Sequence, residues 1–520
     1  MQKRKSQKQK SMSNARVITR NILWNYAGMA ASLAAGFLTA PFLINRLGDT
    51  TYGLWILIGS FTGYFGLLDL GVRGSVGRFI AFHRGRQDDD SVNQVLTTAL
   101  ALLCIPAMIT VVGTLAAASL FFSMFDVPPE QALAVRMALL IVGANLALTF
   151  PASVFDGTLW GLQRFDVINA VDTVVVTVRT GLTLYLVANG HGLVALATIT
   201  LVATIVAAVA KALAAYRIHK PLSIRPGHFR QGHVHELFGF GLWYFLLSVG
   251  RMFTSQLSRL LIGSGLGVAL VTPFSIAASL IAYGNAFLVA GTGVLTPLAT
   301  RFHARDEHEK QLRLFLQGGR ICTFFGICLL GGYLCLGKAF LALWVGSDID
   351  ASFDVLVILA LGELLPMSQS ITGNILLAVA RHKALSWITL LEAAICGVMT
   401  MALINFRGLT GPSLAVAIAA GLCRGLLFAL YGCRTMQCLL RDYLRQSFVV
   451  PLVYSSPAVA LLAAAVQWRT PQNWGQLLVC GACYSILCTL TGACLMKLWP
   501  ANGRRLMTGN APVAATTREA

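Results

Sequence analysis

Charged side chains are scarce in this sequence of 520 residues, because aspartate, glutamate, lysine and arginine together make up only 12% of it. A soluble domain carries roughly 25% charged residues. Apolar residues account for 56% of the chain, and the mean hydropathy is +0.70. A chain with so little charge cannot cover its apolar surface in water. The composition therefore excludes an ordinary soluble protein and predicts one that folds in lipid.

The motifs of soluble enzymes are also missing. The sequence contains no phosphate-binding GxxxxGKS or GxxxxGKT, no zinc-binding HExxH and no GxSxG nucleophile turn. Its 12 cysteines lie almost all in apolar segments, where they act as packing residues. We apply this interpretation to Cys480 and Cys483 as well, despite their CxxC spacing. The sequence predicts no cofactor, no metal site and no enzyme, and it excludes ATP-driven transport by this chain alone.

Long apolar segments dominate what is present. A helix needs about 20 apolar residues to cross the hydrocarbon core. Fourteen segments meet this length, at residues 21–45, 53–82, 95–122, 132–156, 167–188, 193–216, 236–263, 268–299, 314–337, 352–380, 387–404, 412–433, 447–466 and 475–497. The sequence therefore predicts an all-α polytopic membrane protein. Prolines such as Pro106, Pro151 and Pro366 are expected to break several of the helices.

The 40 basic residues outnumber the 21 acidic ones, but they are dispersed between apolar segments instead of forming a nucleic-acid surface. With the amino terminus in the cytosol, 29 of them fall in cytosolic segments, Lys211 and Arg320 included, and only four fall in exterior loops. Positive charge concentrates on the cytosolic side of membrane proteins. We therefore expect both termini in the cytosol and no binding of nucleic acid.

A weak internal repeat suggests how the chain is divided. Residues 77–84 and 299–305 share a basic exit from a helix, at an offset near 219 residues. The predicted organisation is a basic cytosolic tail, a six-helix bundle, a basic cytosolic linker, a second six-helix bundle, helices 13 and 14, and a cytosolic tail, at residues 1–20, 21–216, 217–235, 236–434, 447–497 and 498–520. Exterior loops are short, which argues against a membrane glycosyltransferase or polymerase.

Arginines inside the apolar segments are the first candidate site residues. A charge at mid-bilayer costs about 2.5–3.5 kcal/mol on insertion scales, so it usually faces a cavity or a partner. Arg179, Arg251 and Arg424 fall near the centres of their helices without an obvious adjacent acid, whereas Arg73 and Arg259 lie nearer one end. Guanidinium groups suit phosphate oxygens. We therefore predict that these five arginines line a substrate cavity and bind an anionic group.

Acids in the same segments are candidates for ion coupling: Asp69, Asp172 and Glu363. Asp69 and Arg73 are spaced i, i+4 and can pair on one helix face. Asp172 and Arg179 share a face, but they are two turns apart, or about 10 Å, which is too far for a direct bond.

Three motifs resemble those of polysaccharide (O-antigen-type) flippases, a family of the multidrug, oligosaccharidyl-lipid and polysaccharide exporter superfamily. The first is the sequence PFLINRLG at residues 41–48 followed by YGLW at 52–55. The second is LDLG at residues 68–71 with the basic exit 78–86, and the third is the turn at residues 157–165, which ends in GLQRF.

The resemblance implies two six-helix bundles around a central cavity that is often cationic, with two further helices after them. It implies a bacterial cytoplasmic membrane protein that flips an undecaprenyl-pyrophosphate-linked oligosaccharide by alternating access. Membrane lipids are then its surroundings, and a polysaccharide polymerase or other assembly proteins are candidate partners. A multidrug and toxin extrusion antiporter, with acids dominating the cavity, and a lipid II flippase remain alternatives.

Overall fold

The computed structural model describes residues 2–69, 72–234, 242–293, 295–346, 349–379 and 381–498, and the side chains of residues 2–27, 69, 72–74, 242–244, 293, 296–297, 304, 382 and 498 are not described. All regular structure in these ranges is helical, so the predicted all-α class is confirmed. Twelve segments of the described chain are long and apolar enough to cross a membrane.

Contacts divide the chain into two compact units, Met1–Thr272 and Pro273–Ala520. Within its described residues, the first unit holds seven α-helices: α1 Gln2–Gly63, α2 Val72–Gly85, α3 Asp89–Met124, α4 Ala132–Gly161, α5 Phe165–Ala188, α6 Leu193–Ile218 and α7 Leu242–Gly265. The helix α7 therefore groups with the first unit, although the sequence division places it in the second bundle. That sequence division remains a prediction.

The second unit begins near the start of α8. Its α-helices are α8 Val271–Gly293, α9 Thr296–Ala304, α10 His308–Trp344, α11 Asp350–Ser368, α12 Ser370–Ala378, α13 His382–Arg407, α14 Thr410–Ala420, α15 Phe428–Thr435, α16 Leu440–Leu444, α17 Val450–Trp468 and α18 Trp474–Leu498. Two π-helical turns, Gly421–Leu427 and Arg445–Val449, continue α14 and α16.

Helix breaks differ from those expected at prolines. The helices α3 and α4 continue through Pro106 and Pro151, so the predicted breaks there are wrong. Neighbouring helices can satisfy the backbone groups that a proline frees. Three predicted segments, 53–82, 268–299 and 352–380, are each split into shorter helices. The split of the last segment, at Gln369 just after Pro366, confirms the break expected there.

The motif around residues 41–55 has a local explanation in the first unit. Gly48 interrupts the helical conformation of α1 with φ 79°, a backbone conformation that suits glycine. A Cβ atom on Gly53 would lie 2.3 Å from the carbonyl oxygen of Val268. Glycine at position 53 therefore lets α1 approach the chain that follows α7, and the Thr272 hydroxyl donates to the Asp49 carbonyl at 2.7 Å.

The basic segment after α6 is tied to α3. The Asn93 side chain donates to the Pro221 carbonyl at 3.0 Å and accepts from the Ser223 amide at 2.8 Å. The Arg230 amide donates to the Thr98 hydroxyl at 3.1 Å. The described part of the predicted linker is therefore an ordered part of the first unit.

The helices α2 and α4 approach closely through glycines. Gly157 and Gly161 have the four-residue spacing of small residues that brings membrane helices together. A Cβ atom on Gly161 would lie 2.8 Å from the Gly77 carbonyl oxygen and 2.8 Å from Ile80. The motif at residues 157–165 is therefore a packing device that positions the end of α4.

We expect Gly161→Ala to destabilise the protein by about 1–3 kcal/mol, because overpacking forces the two backbones apart. The measurement is the midpoint of thermal denaturation of the purified protein in detergent. Gly181→Ala is the matched control, because a Cβ at Gly181 on α5 has open space around it. Equal midpoints for the two variants would contradict the close packing of α2 on α4.

Candidate functional site

A lysine and two aspartates form an ion triad in the first unit. The Lys211 ammonium on α6 lies 2.6 Å from a carboxylate oxygen of Asp156 on α4 and 2.7 Å from one of Asp172 on α5. The Lys211 side chain is only 9% exposed. An ammonium group buried to this extent needs opposite charges beside it. The triad therefore joins three consecutive helices through one cation.

The first-unit triad opens onto a cavity of about 310 Å³ between α4, α5 and α6. Asp172 is 51% exposed and Asp156 is 20% exposed, so both carboxylates remain accessible. Arg179 also lines this cavity, with the hydroxyl-bearing residues Thr149 and Thr204. With two acids and two bases, the lining has no net formal charge. It nevertheless offers both hydrogen-bond donors and hydrogen-bond acceptors.

An arginine and two glutamates form the corresponding triad in the second unit. One terminal nitrogen of Arg424 lies 2.7 Å from Glu363, and its Nε lies 2.8 Å from Glu392. The other terminal nitrogen donates to Glu363 at 3.3 Å, and the Asn285 amide donates to the same carboxylate at 3.3 Å. All three guanidinium nitrogens of Arg424 therefore have carboxylate acceptors.

Local backbone features place Arg424 against its partners. Arg424 lies in the π-helical turn Gly421–Leu427. A Cβ on Gly362 would lie 2.3 Å from Ala417, and one on Gly425 would lie 2.7 Å from Leu365. These glycines let α11 approach α14 and the π turn closely, which leaves Glu363 beside the guanidinium group.

The two triads repeat one pattern. In each unit, three consecutive membrane spans carry an acid, an acid and a base in that order: Asp156, Asp172 and Lys211 in the first, and Glu363, Glu392 and Arg424 in the second. The copies differ in exposure, because Glu363 and Glu392 are only 8% and 1% exposed. We call the first triad open and the second closed because of the exposure of their acids, although the Arg424 side chain is itself 32% exposed.

The structure places the predicted arginines in different surroundings. Arg179 is exposed on α5, and among the described side chains it makes no ion pair. Arg251 is exposed on α7. Arg259, also on α7, donates to the Ser255 carbonyl at 3.0 Å and to the Gln256 amide oxygen at 2.9 Å. Arg179 is therefore the arginine of this set that most clearly faces a cavity.

The expectations for three basic residues need correction. Arg424 does have adjacent acids, which the sequence does not show because Glu363 and Glu392 lie 61 and 32 residues away in the chain. Lys211 is a buried member of α6 and not a residue of a cytosolic loop, and Arg320 is likewise buried within α10. Lys211 and Arg320 lie inside the predicted spans 193–216 and 314–337, and this position is the sign in the sequence that they belong to helices. The side chains of Asp69 and Arg73 lie outside the described residues.

Comparison with known proteins bears on this architecture. Residues 18–303, more than half of the chain, match the family model described as "Polysaccharide biosynthesis protein". A protein of Shigella flexneri named "Putative O-antigen transporter" is 21% identical over 405 residues, which cover 77% of this chain and 94% of that protein.

Two solved structures share the fold. The lipid II flippase MurJ, in an inward closed conformation, superposes with a TM-score of 0.70 at 14% identity, over 92% of this chain and 99% of MurJ. An inward-facing MATE family transporter of the MOP superfamily superposes with a TM-score of 0.68 at 17% identity, over 80% and 96% of the two chains. The resemblance drawn from the sequence motifs is thereby confirmed. The chain is a multi-pass membrane protein that belongs to the polysaccharide biosynthesis protein family.

Proposed function

We propose that this protein is a flippase that moves an undecaprenyl-pyrophosphate-linked oligosaccharide from the cytosolic to the outer leaflet of the bacterial inner membrane. The observation that carries the proposal is Arg179, a membrane-embedded arginine without a described ion pair, in a cavity that also offers carboxylates and hydroxyls. A guanidinium group binds phosphate oxygens through charge-assisted bonds, while the carboxylates accept hydrogen bonds from sugar hydroxyls. The relative from Shigella flexneri, named as an O-antigen transporter, supports the same substrate class.

The proposed topology has fourteen spans, arranged as two six-helix bundles around a central cavity and two C-terminal helices. The apolar segment Gly28–Leu68 is 41 residues long and bends at Gly48, whereas a single pass needs about 20 residues. The helix α7 has 24 residues, enough for one pass, although two arginines lower its hydropathy. Counting both adds two spans to the twelve apolar segments.

Labelling single cysteines tests the proposed orientation, in which both termini are cytosolic. In a background without native cysteines, we expect an impermeant thiol reagent added to intact cells to label position 470 and not position 225. The basic segment that contains Arg225 is then cytosolic, as the positive-inside bias requires. Strong labelling at position 225 would overturn the orientation.

Within this proposal, Arg73, Arg179, Arg251, Arg259 and Arg424 are the cationic residues assigned to the substrate pathway. The three guanidinium nitrogens of Arg424 already donate to carboxylates, so an anion must compete with Glu363 and Glu392 to bind it. Asp69, Asp172 and Glu363 are the proposed ion-coupling residues. Of these, Asp172 combines an ion pair with substantial exposure, so a cation that enters the cavity can reach its carboxylate.

Deletion of the gene tests the function in cells. We expect the lipid-linked oligosaccharide to accumulate in the cytosolic leaflet and surface polysaccharide to disappear, with recovery when the gene is supplied in trans. Normal surface polysaccharide, combined with greater sensitivity to cationic drugs, would contradict the proposal and favour the multidrug antiporter. Loss of the polymer without accumulation of a lipid-linked precursor in that leaflet would point to a glycosyltransferase.

A further inference from the structure

An apolar groove continues from the charged cavity of the first unit. It lies between α5 and α6, has a volume of about 310 Å³, and is lined by Val174, Val178, Leu182, Ile199, Val202 and Val206 among others. Val178 and Val202 are 55% and 49% exposed, so the groove is open to the surroundings of the helices. Apolar surface is ordinary where a helix faces lipid, so the groove alone identifies no ligand.

What distinguishes the groove is its junction with the cavity. Val175, Arg179 and Ala203 line both. Arg179 is the single charged residue of the groove and makes no ion pair among the described side chains. An unpaired guanidinium group between a polar cavity and an apolar groove matches a ligand that is anionic at the point where its polar and apolar parts meet.

The order of groups along α5 specifies this ligand further. Asp172 and Arg179 are seven residues apart, which is two turns and about 10 Å on one helix face, and Leu182 is about 4.5 Å beyond Arg179. Ionised carboxylates only accept hydrogen bonds, so the exposed Asp172 can accept from sugar hydroxyls as well as from Lys211. Along α5 the site therefore offers, in order, carboxylates that accept hydrogen bonds from a sugar, a guanidinium group that binds phosphate, and an apolar channel.

We infer that this cavity and groove form one binding site for a polyprenyl-pyrophosphate-linked sugar. The first sugar lies against Asp156 and Asp172, the pyrophosphate binds Arg179, and the first isoprene units lie in the groove between α5 and α6. In the proposed orientation α5 begins at the cytosolic face, so the sugar end of the site is nearest the cytosol. The inference rests on the proposed function and adds the site and its order of subsites.

Photocrosslinking tests the site. The probe is undecaprenyl-pyrophosphate-N-acetylglucosamine with a diazirine on an isoprene unit near the pyrophosphate, added to the full-length protein in phosphatidylcholine nanodiscs. We expect crosslinks in the peptides that contain Val178 and Val202. Val202→Trp fills the groove, and Arg179→Ala removes the guanidinium group that binds the pyrophosphate. Each variant is therefore expected to reduce labelling by about tenfold or more. Arg179→Lys should retain part of the labelling because it keeps the charge.

Val209→Trp is the matched control, since Val209 is 51% exposed on the same helix and does not line the groove; its labelling should equal that of the wild type. The thermal midpoint of each variant shows that it is folded, and if Val202→Trp fails to fold, the two Arg179 variants decide.

Unchanged labelling in Arg179→Ala, or equal competition by phosphatidylglycerol, would overturn the inference. If the wild-type protein flips the lipid but crosslinks map elsewhere, the inference fails and the proposed function stands. If the probe is neither bound nor flipped, the proposed function itself fails.

Discussion

Replacement of Arg424 by alanine is expected to remove most of the folded protein from the membrane. The substitution leaves Glu363 and Glu392, which are 8% and 1% exposed, without their shared cation. Removing one partner of a buried ion pair typically costs about 3–5 kcal/mol, because the remaining charge is desolvated and unpaired. That loss is a large fraction of the free energy of unfolding of an ordinary domain, which is about 5–15 kcal/mol. The measurements are the amount of monodisperse protein extracted from membranes and its thermal midpoint.

The neutral triple variant Arg424→Met, Glu363→Gln, Glu392→Gln is the matched control for this prediction. Because it removes all three charges together, no buried charge is left unpaired, and it should recover most of the folded protein. A single Arg424→Ala variant that is as abundant and as heat-stable as the wild type would contradict the closed triad. Equal damage in the single and triple variants would show that packing, not charge, accounts for the loss.

Replacement of Lys211 by methionine is expected to give a different phenotype: a folded protein that exports little or no polysaccharide. Its two carboxylates are 20% and 51% exposed at the cavity, so water can solvate them when the ammonium is gone. The cavity then changes from formally neutral to a net charge of −1. At an effective dielectric constant of about 20, one unit charge about 8 Å from a phosphate charge costs roughly 2 kcal/mol. That cost corresponds to a loss of about thirtyfold in affinity.

Export of polysaccharide in a deletion strain, scaled to the amount of folded protein, measures this effect. The double variant Lys211→Met, Asp172→Asn restores the neutral lining and should recover part of the export. An export-competent Lys211→Met protein would contradict the role of the open triad in substrate binding. A protein that fails to fold would show that the first triad is as structural as the second.

Much of the fold could be predicted from the sequence, because each apolar segment reports its own environment. The all-helical membrane class and most span positions follow from local hydropathy alone. The glycines of the motifs can be read from the sequence, but the reason why glycine is needed at each position cannot. The contacts of Gly53 with Val268 and of Gly161 with Gly77 depend on helices distant in sequence. The split helices depend on tertiary packing in the same way.

The candidate site was predictable in residue type but not in pairing. An arginine in an apolar segment is expected to face a cavity or an acid, and the sequence could not decide between these for Arg179 and Arg424. The structure separates them, because Arg179 lines a cavity and Arg424 contacts two glutamates on other helices. Lys211 is counted with the cytosolic basic residues in the sequence analysis, although it lies within the predicted span 193–216. Its two aspartates are 55 and 39 residues away, so only the fold brings the three together.

The most direct test of flipping uses purified protein in proteoliposomes that contain a radiolabelled undecaprenyl-pyrophosphate-linked oligosaccharide. A glycosidase that cannot cross the bilayer reports the fraction of sugar in the outer leaflet over time. If the protein is a flippase, the inaccessible half of the lipid becomes accessible at a rate that rises with the amount of protein and falls at least about tenfold in Arg179→Ala, as expected for loss of charge-assisted phosphate bonds. An accessible fraction that stays at its initial value with folded wild-type protein, with and without an imposed ion gradient, would contradict the proposed function.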